Sequence, residues 1–249
     1  MGSMAVTPTL KKAVFDRMTD EGVSVPAKKG YDTLACIQAA QNSDMDFAFC
    51  LGGNLYGSNP DSSATADAFS KISTVVYAST TLNTGHAWGT GKETIILPVL
   101  ARDEEKQSTT QESMFSFVRL SDGGIDRHQS LRSEVGVISE IASRVLGNDK
   151  LFNWSELEDH NSIRKIISRI IPGFESMDSI GQSKTEFHIS GRVLNSPVFP
   201  TESNKAKFIY HPIPNVGELK DNEFQLLSVR SEGQFNTVVY EESDLYRNQ

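Results

Sequence analysis

Two short polar loops hold the residues of this chain best suited to ligand chemistry. The first opens with Gly52-Gly53-Asn54, directly after the apolar run Phe47–Leu51, and the second runs from Ser79 to Gly91, directly after Val75-Val76-Tyr77. A glycine pair lets backbone N–H groups come close to a ligand. That suits the binding of an anion such as a pyrophosphate. A helix following the first loop, capped near Asp61 or Ser62, would add its amide end. Taken without further context, the glycine pair fits a plain strand-to-helix turn equally well.

The elements around these loops form a recognisable order. An apolar strand, a glycine turn, a helix from Ser62 to Lys71 and a second apolar strand make a βαβ unit, whose ligands sit outside the carboxyl ends of the strands. Two familiar phosphate motifs fail here. GxGxxG is absent after the first strand, and Gly89-Thr90-Gly91-Lys92 lacks the required spacing: His86 stands where the first glycine belongs, Glu93 replaces Ser/Thr, and Thr94–Pro98 continues as a strand. An ATPase reading is discarded. Helices over Pro8–Asp20 and Tyr31–Gln41 are expected to cover the sheet, and the near-continuous apolar character of strands 47–51, 75–77 and 94–97 predicts a parallel sheet buried on both faces. Arg102–Gly124 reads as polar and turn-rich, with Glu104, Glu105 and Lys106 as solvated surface. Two amphipathic helices follow. The first, Ser133–Leu146, carries Val135, Ile138, Ile141, Ala142, Val145 and Leu146 on one stripe and stops at Gly147-Asn148; the second, Asn161–Ile171, carries Ile163, Ile166, Ile167 and Ile170. Both stripes read as core faces. From Gly181 onward short strand candidates take over, at Phe187–Ile189, Lys207–Tyr210, Phe224–Val229 and Phe235–Tyr240.

Composition narrows the function. The chain has 249 residues and a net charge of −8, with a pI near 5.2, so a nucleic-acid or anionic-membrane surface is not expected. No apolar run is long enough to span a bilayer and no signal peptide is evident, which points to a cytoplasmic protein. Met1-Gly2-Ser3-Met4 reads as a vector-derived start. Cys36 and Cys50, the two cysteines, are expected to be buried and inert; an iron–sulfur cluster needs about four such ligands. His86, His128, His160, His188 and His211 show no metal-ligand spacing. Asp103, Glu104 and Glu105 lack a second acidic pair with a nearby histidine, so no acid/base site is defined.

Several long stretches together carry a family resemblance. LGGNLYGSNPDSSATADAF, VVYASTTLNTGHAWGTGKETIILPVLARDE, QESMFSFVRLSDGG, LRSEVGVISEIASRVLG and SVRSEGQFNTVVYEESDLYR are similar to the formate-dehydrogenase-like branch of the molybdopterin oxidoreductases, in the family's order and from about Thr7 to the last residue. The similarity covers an interior and late portion of such an enzyme. It implies a molybdenum cofactor, bis-molybdopterin guanine dinucleotide, whose dinucleotide tail is the chain's partner, with any iron–sulfur cluster in the missing part. By position, Gly52, Gly53 and Asn54 match the family's GGN turn, and Ser79, Thr80, Asn83, Thr84 and His86 match the loop after the next strand. Arg230, Gln234, Asn236 and Thr237 match a stretch near the pterin and phosphates. No catalytic residue and no metal ligand falls in this chain, so no turnover is expected of it alone. Where the family usually has a proline, a small residue, glycine and lysine, this chain has Glu202-Ser203-Asn204-Lys205; asparagine tolerates a left-handed backbone, so the turn is expected to be kept.

The expected architecture is α/β: a three-layer Rossmann-like region with helices on both faces of a parallel sheet over residues 5–105, after an expression remnant at 1–4. A helical and β connection over 106–220 completes it, and the first strands of a cofactor-binding β-barrel fill 221–249. Such incomplete strands leave open edges, through which self-association is expected. The competing reading is a non-catalytic nucleotide-binding or protein-interaction module.

Overall fold

The computed structural model describes residues 8–26, 28–113, 116–128, 130–147, 152–190, 198–199, 201–213, 215, 217, 219–226, 234–235 and 239–240. The chain opens with helices α1 (Pro8–Asp20) and α2 (Thr33–Gln41), the latter capped by Asp32, whose carboxylate accepts the Ala35 N–H. Strand β1 (Phe47–Leu51), a single helical turn α3 (Leu55–Ser58), helix α4 (Ser62–Ser70), strand β2 (Thr74–Ser79), a short helix α5 (Thr84–Trp88) and strand β3 (Glu93–Pro98) follow. The three strands form a parallel sheet in sequential order, with Phe49 opposite Val76 and Val76 opposite Ile95. Asp61 caps α4 as its sequence predicts, accepting the Ala64 N–H at 2.8 Å.

One face of this sheet is closed. Ile37 and Ala40 of α2, with Ala68, Phe69 and Ile72 in and after α4, pack onto Val75 and Tyr77, and Phe69 stacks nearly parallel on the Tyr77 ring. Each of the large side chains buried here contributes about 1.5–3 kcal/mol. The opposite face differs from the expectation of a sheet buried on both sides. Phe47 is 60% exposed and Ile95 40% exposed, because the helix that crosses this face stands off from it.

A second, antiparallel sheet is built from β4 (Thr109–Glu112), β5 (Phe117–Ser121) and, after an intervening helical region, a two-residue β6 at Phe187–His188. This corrects the reading of 102–124 as a turn-rich segment. β4 is Thr-Thr-Gln-Glu and carries no apolar alternation, whereas Phe117-Val118-Arg119-Leu120 does alternate and was the available signal. Between β5 and β6 lie α6 (Glu134–Leu146), a 3-10 turn at Trp154–Glu158, α7 (His160–Ile170) and α8 (Met177–Ser183). Ser133 caps α6 through its hydroxyl, and Gly147 ends it at φ 68°. Val118, Phe174, Met177, Ile180 and Ile189 form the core of this half.

Two packing expectations change. α1 does not cover the parallel sheet: Val14 packs with Ile170 of α7, and Arg17 donates to the Arg169 carbonyl. The α6 stripe is not a core face either, since Ile138, Ile141, Val145 and Leu146 are all exposed. Further along, Lys207–Tyr210 and the described part of 224–229 form no strand, and Phe208, Tyr210, Phe224 and Leu226 are exposed among the described residues. Of the expected strand Phe235–Tyr240, residues 236–238 lie outside the described residues, and β7 (Gln234–Phe235) pairs antiparallel with β8 (Val239–Tyr240). Asn204 does adopt the left-handed backbone, at φ 51°, and its N–H closes the turn on the Thr201 carbonyl.

Candidate functional site

The loops after β1 and β2 meet at the carboxyl end of the sheet, as a βαβ unit requires. Gly52 and Gly53 turn the chain out of β1 with φ of 63° and 68°, and the Gly52 N–H remains paired to the Ala78 carbonyl at 2.8 Å. Nothing lies within 4 Å of where a Cβ would stand on either residue, so this backbone faces open space. The glycines are required by the backbone angle and not by crowding.

The side chains beside them are bonded to one another. Asn54 Oδ1 accepts the Gly57 N–H at 2.9 Å, and its Nδ2 donates to Thr84 Oγ1 at 2.8 Å. In the other direction Asn83 Nδ2 donates to the Gly53 carbonyl at 3.1 Å, while Asn83 Oδ1 accepts from Gly85 N–H. Each loop thus holds the other. Gly85 is needed for close approach, since a Cβ there would fall 2.7 Å from Asn54 Oδ1. His86 is buried; its Nδ1 accepts the Asn83 N–H at 2.9 Å, which places the ring proton on Nε2, 3.1 Å from Ser79 Oγ. Tyr77 sits edge-on to the His86 ring and donates its hydroxyl to the Gly89 carbonyl at 2.6 Å. Burial, and secondarily the neighbouring Cys50 sulfur, pushes the Tyr77 phenol far up, so it stays protonated as that donor. Burial likewise pushes the Cys50 thiol up, in keeping with an inert cysteine, though both Cys50 and Cys36 are only partly buried.

Of the residues predicted to bind, the structure therefore gathers Gly52, Gly53, Asn54, Ser79, Thr80, Asn83, Thr84 and His86 at one end of the sheet. It commits the side chains of Asn54, Ser79, Asn83, Thr84 and His86, the Gly52 N–H and the Gly53 carbonyl to internal bonds, leaving Thr80 exposed and open space beside the two glycines. Gln234 lies in β7, away from the parallel sheet's own strand pairing. Arg230, Asn236 and Thr237 lie outside the described residues.

Thr80 also borders a cleft of about 460 Å³ between the two sheets, lined further by Arg102, Glu105, Thr109, Glu134 and His160. Sequence reasoning missed this cleft because it treated Glu104 and Glu105 as solvated. Glu104 is 7% exposed; its carboxylate accepts the Ala101 N–H and pairs with Arg127, and these contacts hold its pKa below the ordinary carboxylate range. Glu105 is turned inward, with one oxygen accepting the Gln107 N–H and the other 3.9 Å from His160 Nε2. His160 Nδ1 donates to the Ser108 carbonyl, which Arg164 also binds; Arg164 is 4% exposed and burial pushes its pKa down. No group of three metal-ligating side chains occurs among the described residues. What the arrangement offers is a cleft with polar and apolar walls bordered by Thr80, and a glycine turn held against the same loop.

Comparison with known proteins gives distant matches that cover nearly all of this chain. It is 29% identical over 255 residues to uncharacterized oxidoreductases of Mycobacterium bovis and Mycobacterium tuberculosis, covering 99% of this chain and 32% of theirs. It is also 29% identical over 240 residues to protein YdeP of Escherichia coli, covering 91% of this chain and 31% of that one. The chain spans about a third of the length of the curated relatives it matches. No family model matches it. Among the described residues no helix is long and apolar enough to cross a membrane.

Proposed function

We propose that this chain is the part of a molybdenum-dependent, formate-dehydrogenase-like oxidoreductase that grips the guanine dinucleotide tail of bis-molybdopterin guanine dinucleotide. The observation that carries this reading is the pair of cross-bonded loops at the carboxyl ends of β1 and β2, with Gly52 and Gly53 held at positive φ under open space. The oxidoreductase names of relatives matching nearly the whole chain support the general class.

The residues fit such a group at the backbone more than at the side chains. Gly52 and Gly53 leave room for phosphate oxygens to approach the main-chain N–H groups that follow Gly52, whose own N–H stays paired to Ala78, and Thr80 adds an exposed hydroxyl at the cleft. Asn54, Asn83, Thr84, Ser79 and His86 act as positioning residues that fix the loop shape. When bound, the cofactor would supply two-electron metal chemistry, with formate oxidation the leading candidate; the protein's share is binding and electrostatic tuning. This chain by itself performs no turnover, and formate oxidation by the purified chain would overturn that part of the reading.

Calorimetric titration with GDP, a mimic of the tail, tests the binding site. The wild-type chain binds and Gly53→Val does not, while circular dichroism shows both folded. Binding by neither, or equal binding by both, removes the Gly52–Gly53 turn from the site.

A further inference from the structure

We propose that His160 and Glu105 form a proton-operated clasp in the wall of the cleft between the two sheets: charging the ring closes it on the carboxylate and takes one negative charge off the cleft. The two side chains come from distant parts of the chain, one from the first residue of α7 and one from the loop after β3, and each is almost covered, at 11% and 12% exposed. The frame around them is fixed. The His160 N–H donates to Gln107 Oε1 at 3.0 Å, the Gln107 side-chain amide donates to the Glu158 carbonyl at 2.9 Å, and the Gln107 N–H holds Glu105 Oε1 at 3.1 Å.

Within that frame one contact is missing. A carbonyl only accepts, so the bond from Nδ1 to the Ser108 carbonyl puts the proton of a neutral ring on Nδ1 and leaves Nε2 a bare acceptor. Nε2 is buried and has no hydrogen-bond partner among the described residues; what faces it, 3.9 Å away, is Glu105 Oε2, a second acceptor. Neither satisfies the other until a proton arrives. A proton on Nε2 turns the pair into a charge-assisted hydrogen bond once the carboxylate oxygen moves by about 1 Å. Glu105 is the nearest charge, and Glu134 lines the same cleft against one cation, Arg102. From α7 itself Arg164 opposes the added charge, since it shares the Ser108 carbonyl, and Asp159 at the helix cap faces Arg164 in turn. Lys184 and Asp122 bond each other at the Ser108 hydroxyl and cancel. With the ring neutral the cleft lining carries one net negative charge, two carboxylates against Arg102; with the ring charged it carries none. An anionic ligand is therefore repelled from this cleft at higher pH and no longer repelled once His160 takes its proton. The clasp goes beyond the dinucleotide reading without resting on it.

Long-range proton–nitrogen NMR of the purified chain with labelled histidine rings is the test, His160 being assigned by the signal missing from His160→Gln. At high pH His160 shows the Nδ1–H tautomer, the opposite of His86, whose Nδ1 accepts the Asn83 N–H. On acidification it gains the Nε2 proton. In Glu105→Gln it does so about one pH unit lower, a roughly tenfold weaker hold on the proton, because the glutamine amide offers the neutral ring a donor. Unchanged His86 and His188 signals show that the variant is folded. An Nε2–H tautomer at high pH, or a Glu105→Gln titration that coincides with the wild type, overturns the proposal. So does a titration displaced equally by Glu134→Gln, since the general field of the cleft would then hold the proton and not the Glu105 contact.

Discussion

The carboxyl end of the parallel sheet and its α6 face treat their side chains in opposite ways. At the carboxyl end nearly every polar group that gives the sequence its chemical character is bonded to a neighbour: Asn54 to Thr84, Asn83 to Gly53, His86 to Ser79. Along α6 the residues that look most ordinary are the ones left exposed among the described residues: Ile138, Ile141, Val145 and Leu146. A polar loop can complete itself locally, because hydrogen-bonding partners lie within a few residues on facing loops. An apolar stripe cannot, because it needs another surface. Chemical character in a sequence is therefore a poor guide to what remains available for a ligand, and blandness is a poor guide to what is buried.

The largest blow to the satisfied end is Tyr77→Ala. Tyr77 is 1% exposed and joins the core to the second loop, so truncation costs about 3–5 kcal/mol, measured as a fall in the urea midpoint. Removing one cross-link is milder. Asn54→Ala leaves the Gly57 N–H and Thr84 hydroxyl without their partner and costs about 1–2 kcal/mol in the same assay, with GDP affinity falling as the loop loosens. If Asn54→Ala proved neutral in both, the loops would not be held by these bonds and the contrast would collapse. On the open face Val145→Ser should shift stability by no more than about 0.5 kcal/mol, since an exposed side chain loses little; a large loss there would mean that α6 is packed after all. The smallest effect in neutral buffer belongs to the corner where Arg127 pairs with Asp103 and Glu104. Asp103 is held below the ordinary carboxylate range chiefly by its hydrogen bond from Arg127, and Glu104 chiefly by the Ala101 N–H. Stability from lowered carboxyl groups is full above their unfolded values and is lost as pH falls through the folded ones. Arg127→Leu should therefore lower stability slightly at neutral pH, where this contribution is full, and leave it unchanged at low pH, so that the acid slope of the stability–pH profile flattens.

Much of the first half was legible from periodicity and punctuation. The βαβ order, the capping by Asp61 and the turn at Gly52-Gly53 all follow from local rules, because each is decided by residues a few positions apart. What was not legible depends on distant partners. Thr109–Glu112 became a strand only because Phe117–Ser121 lies beside it, and Glu105 left the solvent only because His160 and Gln107 arrive to receive it. α1 carries the same kind of amphipathic stripe whether it covers a sheet or a helix, so nothing in its own residues distinguishes α7 from β1 as its seat. Eight of the residues read as candidates for binding do gather at the sheet's end, but their internal bonding was invisible, since Asn54 and Asn83 reach across a separation of 30 positions.

The seating of α1 on α7 also bears on how the chain folds. Arg17 and Arg169 are 152 positions apart where they meet, whereas β1, β2 and β3 pair with their immediate neighbours in sequence. Closing so long a loop is costly in chain entropy and is rewarded by a small cluster around Val14 and Ile170. The parallel unit can assemble on the ribosome-proximal timescale of local contacts, while α1 must wait for α7 to exist. In the folded protein the same helix should open first: its amides should exchange with deuterium well before those of β2, without the rest of the molecule unfolding.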